Sequence, residues 1–123
     1  MKKIVFLVIV FCVTASYFAR HGYAQDSGIR FEENTDWERV VKKAAGEKKL
    51  IFIDCYTSWC IPCKKLAQNT FSDKAVGDYF NKHFVNVKYD MEKDSSGVQL
   101  CAKYQVHAYP TLLFIDPATE ELV

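Results

Sequence analysis

Residues 50–64 read Leu50-Ile51-Phe52-Ile53-Asp54-Cys55-Tyr56-Thr57-Ser58-Trp59-Cys60-Ile61-Pro62-Cys63-Lys64. The first six are apolar on both faces apart from Asp54, as expected of a central strand covered on both sides. Pro62 lacks a backbone N–H and is tolerated in a helix only within the first turn. The stretch therefore predicts a strand, a short loop and a helix N-terminus. Cys60 stands at the helix start and Cys63 one turn in.

Outward from this stretch the remaining elements follow. Thr35 with Glu38 three residues later has the capping-box pattern; Trp37, Val40, Val41, Ala44 and Ala45 follow at helical spacing, with Gly46 as the expected stop. Beyond the cysteines, a helix starting at Ser72 or Asp73 is expected to carry Val76, Tyr79, Phe80 and Phe84 on one face. Residues 84–89 read as a second strand. Ser95 or Ser96 starts a helix through Val98, Cys101, Ala102 and Tyr104, and Thr111-Leu112-Leu113-Phe114-Ile115 is a third strand ended by the turn Asp116-Pro117. Strands separated by helices predict an α/β fold with some parallel pairing.

Two cysteines separated by two residues can close a disulfide within one helical turn. At Cys60 the unpaired N–H groups and the helix dipole favour negative charge, which lowers a thiol pKa, and the thiolate is the reactive species in disulfide exchange. Cys60 is thus expected to be the exposed, low-pKa thiol and Cys63 the more buried resolver. Asp54 is a carboxylate in an otherwise apolar strand, where burial without a partner is costly and raises the pKa. Such a group suits proton transfer. The alternative is an acid at the strand's end that reaches solvent or caps a loop.

The motif Trp59-Cys60-Ile61-Pro62-Cys63-Lys64 after a buried strand, with Tyr109-Pro110-Thr111 leading into the third strand, resembles thioredoxin and its exported relatives. The resemblance covers residues 37–115. It implies a mixed central sheet flanked by helices and a thiol–disulfide oxidoreductase that needs no bound cofactor, since the Cys60–Cys63 pair carries both electrons. It further implies that Pro110 is a cis-proline facing the dithiol, and that Trp59, Tyr109 and Pro110 contact the substrate. In the family, the backbone just before this proline pairs with a client peptide. Asp54, six residues before Cys60, matches the family's buried acid. Four features depart from the family pattern. Ile61 replaces the usual glycine, Asn86 stands where a strand lysine near the acid is expected, residues 91–97 are longer than usual, and the chain ends at Leu122-Val123. The fold is therefore expected to lack the family's last strand and helix, either as a truncated form of a longer protein or with a partner strand completing its sheet, and to be marginally stable or self-associating alone.

The amino-terminal 24 residues read as a cleaved secretory signal. Lys2 and Lys3 precede a short apolar run, and Gly22 and Ala24 provide a small-x-small exit. Even counted from Ile4 to Ala19 the run is shorter than the roughly 20 residues that span a bilayer. The chain thus divides into a signal (1–24), a polar lead-in (25–35) and one domain (36–123), exported to the periplasm or the exterior without stable membrane insertion. The composition fits a single globular domain: 123 residues, 50% hydrophobic and 25% charged. The full chain carries 16 basic and 15 acidic residues. Loss of Lys2, Lys3 and Arg20 leaves 13 against 15, with no basic excess for nucleic acid.

Outside the cytosol disulfides persist, and Cys55, Cys60, Cys63 and Cys101 remain after cleavage. Cys55 and Cys101 are expected to be inert core thiols, the alternative being a bridge between them that their spacing does not support. His83 and His107 are expected to be surface histidines, the alternative for His107 being a place facing the dithiol or a client. A single Cys-x-x-Cys supplies two thiolates where structural zinc takes four ligands, so no metal is expected. The expected partners are client protein thiols and disulfides and a separate redox partner. Pro62 before Cys63 resembles the reducing members and implies a reductant. The competing reading is a non-catalytic binding or chaperone module in which Cys60–Cys63 is a structural bridge.

Overall fold

A computed structural model describes residues 27–32 and 36–123. The signal at 1–24 and Thr35 of the expected capping box lie outside the described residues. Helix α1 spans Trp37–Glu47, and its N-cap is Asp36, whose carboxylate accepts the Arg39 N–H at 2.9 Å. A cap placed one residue nearer the helix does the work assigned to Thr35, since it reaches the free N–H groups of the first turn. Gly46 does not stop the helix: the chain turns at Lys48, in the left-handed region at φ 54°, and its N–H closes on the Ala44 and Ala45 carbonyls.

The remaining elements are β1 (Leu50–Tyr56), α2 (Ile61–Asn69), α3 (Lys74–His83), β2 (Phe84–Asp90), α4 (Ser95–Lys103) and β3 (Thr111–Ile115). Among the described residues the sheet has three strands in the order β2-β1-β3, with β1 parallel to β2 and antiparallel to β3. This is the expected mixed sheet, with the apolar strand at its centre. At the outer side of β2, Glu32 bridges Val87, and its N–H donates to the Asn86 carbonyl at 2.8 Å. At the outer side of β3, the turn after Ile115 returns Leu122 to a bridge with Ile115, and the Val123 N–H donates to Phe114 at 3.0 Å.

Alternation along β1 sorts its side chains between two cores. Ile51, Ile53 and Cys55 join Val40 and Ala44 of α1 and Leu100 of α4 on one face. Phe52 points to the other, where Phe71, Leu66 of α2 and Phe80 of α3 surround it. Its ring meets Phe80 edge-on at 4.8 Å and Phe71 at 5.9 Å, geometries that contribute about 0.5–1.5 kcal/mol per pair beyond burial. Asp54 is the next position in sequence on that second strand face, on the α2 side of the sheet.

Two helix faces differ from expectation. Tyr79 is 58% exposed; α3 instead packs through Val76, Phe80 and Gly77. On α4, Gly97 and Leu100 are buried while Val98 is 49% exposed. In both helices a glycine permits backbone contact closer than any apolar side chain would allow. At Gly77 a Cβ would lie 2.4 Å from the Gly28 carbonyl, so α3 presses against the backbone of the amino-terminal segment. Gly77→Ala is expected to cost about 1–3 kcal/mol from this overlap, despite alanine's better helix propensity. An unchanged urea midpoint would show that the segment around Gly28 moves aside freely.

Candidate active site at the Cys60–Cys63 disulfide

Cys60 and Cys63 are joined in a disulfide with Cα atoms 5.3 Å apart. Cys60 is the N-cap of α2, its Sγ accepting the Cys63 N–H at 3.2 Å. Its own N–H closes the preceding turn on the Thr57 carbonyl at 3.1 Å. Pro62 falls in the first turn, as its missing donor requires. On reduction, a thiolate at the cap position would face free N–H groups and the positive end of the helix dipole. The expectation that Cys60 is the exposed member is corrected in this disulfide form, for the residues are 2% and 5% accessible respectively. Burial therefore does not separate them, and only helix position does. The exposure falls on the flanking residues, Trp59 at 62% and Ile61 at 65%.

Trp59 and Tyr109 meet edge to face at 6.0 Å, which joins the dithiol loop to the loop before β3. The Tyr109–Pro110 peptide bond is cis. Thr111, the next residue, pairs with Cys55 at the end of β1. Trp59, Tyr109 and Pro110, singled out separately in the sequence, are thus brought to one rim.

Asp54 is 5% exposed, and its Oδ1 has no hydrogen-bond partner among the described residues. Burial raises its pKa to about 6, against the opposing attraction of Lys88. Lys88 is the direct partner of Asp54 across the parallel pair, whereas Asn86 faces Phe52. The strand lysine is therefore present, two residues beyond the position where Asn86 had suggested its loss. Asn86 is instead buried, its amide donating weakly to Asn81 at 3.3 Å.

Cys55 is fully buried and unpaired, its thiol pushed up to about 12 by burial first and by Asp54 and Cys101 next. It lies on the strand face opposite Asp54, as an inert core thiol should. Cys101 is only partly buried; its Sγ approaches the Val106 carbonyl at 3.3 Å and the Tyr109 hydroxyl at 3.7 Å. It thus packs at the edge of the core, as expected, and borders the rim through Tyr109. His83 and His107 are exposed.

Sequence reasoning missed Ser58, Asp90, Glu92 and Lys93. Asp90, 5% exposed, accepts the Ser58 N–H at 3.1 Å on one oxygen and the Glu92 N–H at 3.0 Å on the other. Glu92 accepts the Trp59 indole N–H at 2.9 Å, and Lys93 donates to the Ser58 hydroxyl at 2.7 Å. The sole sequence signal was the unusual length of residues 91–97, which marked the segment without showing what it touches.

Comparison with known proteins agrees with this geometry. Residues 32–117 match the profile of a thioredoxin-like family. Over 82 residues, 66% of the chain, the sequence is 33% identical to the thiol:disulfide interchange protein DsbD of Actinobacillus pleuropneumoniae, of which the match covers 14%. The chain spans under a fifth of the length of the curated relatives it matches. A solution structure from Bacteroides thetaiotaomicron, provisionally called a disulphide-isomerase, is 52% identical with a TM-score of 0.69, covering 81% of this chain and 80% of that one. The oxidised C-terminal domain of DsbD from Neisseria meningitidis shares the fold, with a TM-score of 0.55 at 19% identity over 70% of this chain and 75% of that one. With matching profile, disulfide-bearing helix start and cis-proline rim all in one fold, this chain belongs to the thioredoxin-like family.

Proposed function

We propose that this chain is a thiol–disulfide oxidoreductase that reduces disulfides in client proteins outside the cytoplasm. The observation that carries the reading is the Cys60–Cys63 disulfide with Cys60 as the N-cap of α2. In the reduced form, the Cys60 thiolate attacks one sulfur of a client disulfide, forming a mixed disulfide and releasing the other client sulfur as a thiolate. Cys63, deprotonated with the help of Asp54, then attacks the Cys60 sulfur. The second client thiol leaves and the Cys60–Cys63 disulfide re-forms. Two electrons pass to the client, and a separate dithiol partner returns them to the chain. The signal-like residues 1–24 support export, and no helix among the described residues is long and apolar enough to cross a membrane.

Trp59, Tyr109 and Pro110 would receive the client, because the exposed Trp59 indole next to Cys60, packed edge to face on the half-buried Tyr109, offers a docking surface for an extended segment. An insulin-reduction assay with dithiothreitol as electron source tests the proposal. Turnover above the reductant's own rate supports it. A chain that binds clients without turnover would instead be a non-catalytic module with a structural bridge.

A further inference from the structure

We propose that the loop after β2 is a positioning device for client docking, with Glu92 fixing the orientation of the Trp59 indole; this rests on the oxidoreductase reading above. Trp59 is large, next to Cys60 and 62% exposed, so an unrestrained indole would lose rotamer freedom whenever a client docked against it. The structure holds it from two sides. Tyr109 meets the ring edge to face at 6.0 Å, and the Glu92 carboxylate takes the indole N–H at 2.9 Å.

Glu92 is itself held. Asp90 accepts the N–H groups of both Glu92 and Ser58, so one buried carboxylate ties the two loops together. Lys93 adds a second tie to the Ser58 hydroxyl at 2.7 Å. The base beneath them is stiff: the Asp94 carboxylate accepts the Asp90 N–H at 2.7 Å, and a Cβ at Gly97 would lie 2.5 Å from the Asp90 carbonyl. A side chain fixed by such supporting bonds is prepared for its contact before the partner arrives. None of these contacts involves a sulfur atom. Their effect should therefore fall on client binding more than on the reactivity of Cys60.

Steady-state insulin reduction by the full chain, compared across Glu92→Ala, Glu92→Gln, Trp59→Phe and the Glu92→Ala/Trp59→Phe double variant, tests this. Loss of one solvent-exposed hydrogen bond predicts a rise in KM of about fivefold for Glu92→Ala, with kcat falling less. Glu92→Gln keeps an acceptor oxygen and should stay within about twofold of the parent, while the double variant should be no worse than Trp59→Phe alone. The pH profile of Cys60 alkylation should not move in Glu92→Ala. The Trp59 indole N–H, followed by NMR, should exchange with solvent faster in Glu92→Ala than in the parent or Glu92→Gln. An unchanged KM, a loss shared equally by Glu92→Gln, additivity with Trp59→Phe or an unaltered indole exchange rate would each overturn the proposal. A parent chain that turns over no insulin would overturn the oxidoreductase reading itself, a result distinct from an active parent whose Glu92 variants all match it.

Discussion

Cys60→Ser is expected to lower insulin reduction to the rate of dithiothreitol alone. The reaction needs a thiolate at the helix cap, and a serine hydroxyl there neither ionises near neutral pH nor attacks sulfur usefully. Cys63→Ala should behave differently, although it also blocks turnover. With Cys60 intact and no resolving thiol, the mixed disulfide cannot be released internally, so client-linked adducts should accumulate on non-reducing gels. Cys60→Ala should form none at this site. Reduced parent protein should be alkylated first at Cys60, because its sulfur occupies the N-cap of α2 and accepts the Cys63 N–H. Faster labelling of Cys63, or adducts trapped by Cys60→Ala, would reverse the roles. Since both residues are almost fully buried in the disulfide form, such a reversal would mean that local accessibility in the reduced state outweighs the helix dipole.

Asp54→Asn is expected to stabilise the fold near neutral pH and to slow exchange. The Asp54 pKa is raised from 3.8 to about 6, chiefly by burial. The folded protein therefore holds this proton more tightly than the unfolded chain does. Stability falls as pH rises from about 4 through 6, because ionising Asp54 costs more in the fold than out of it. At one pKa unit per 1.36 kcal/mol, the penalty reaches about 3 kcal/mol at pH 8 and is largely absent at pH 4. The stability difference between Asp54→Asn and the parent should thus shift by about 2–3 kcal/mol in the variant's favour between those two pH values. Urea unfolding at pH 4 and pH 8 measures it. If the difference is the same at both, Asp54 is not ionising in a buried setting. The same substitution should flatten the pH dependence of insulin reduction around pH 6, because a group that exchanges protons in that range has been removed. An unchanged rate profile would leave Asp54 a purely structural acid.

The order of elements, the central strand and the place of the dithiol were legible in the residues alone. Those are properties of short segments. Apolar runs, a proline that fits only a first turn and two cysteines one turn apart act over a few residues, and local sterics and hydrogen bonding decide them. The strand at residues 50–56, the helix start at Cys60 and the third strand after Pro110 were legible for that reason. So was Asp54, since a lone carboxylate in an apolar strand is conspicuous wherever the strand is finally buried.

The remaining features depend on which segments meet. The lysine beside Asp54 is Lys88 and not the residue at 86, because the parallel register with β2 selects the neighbour, and register is set by packing on both sheet faces. The burial of Gly77 and Gly97, with Tyr79 and Val98 left in solvent, follows from backbones approaching too closely for a side chain; no periodicity of apolar residues reports such a contact. The same holds for Asp90, Glu92 and Lys93. Polar residues at a strand end and in the loop after it give no pattern of their own, and the hydrogen bonds that tie them to Ser58 and Trp59 cross more than thirty positions of chain. The reacting atoms were set by local chemistry, whereas the surroundings that tune and orient them exist only once the distant loops are folded together.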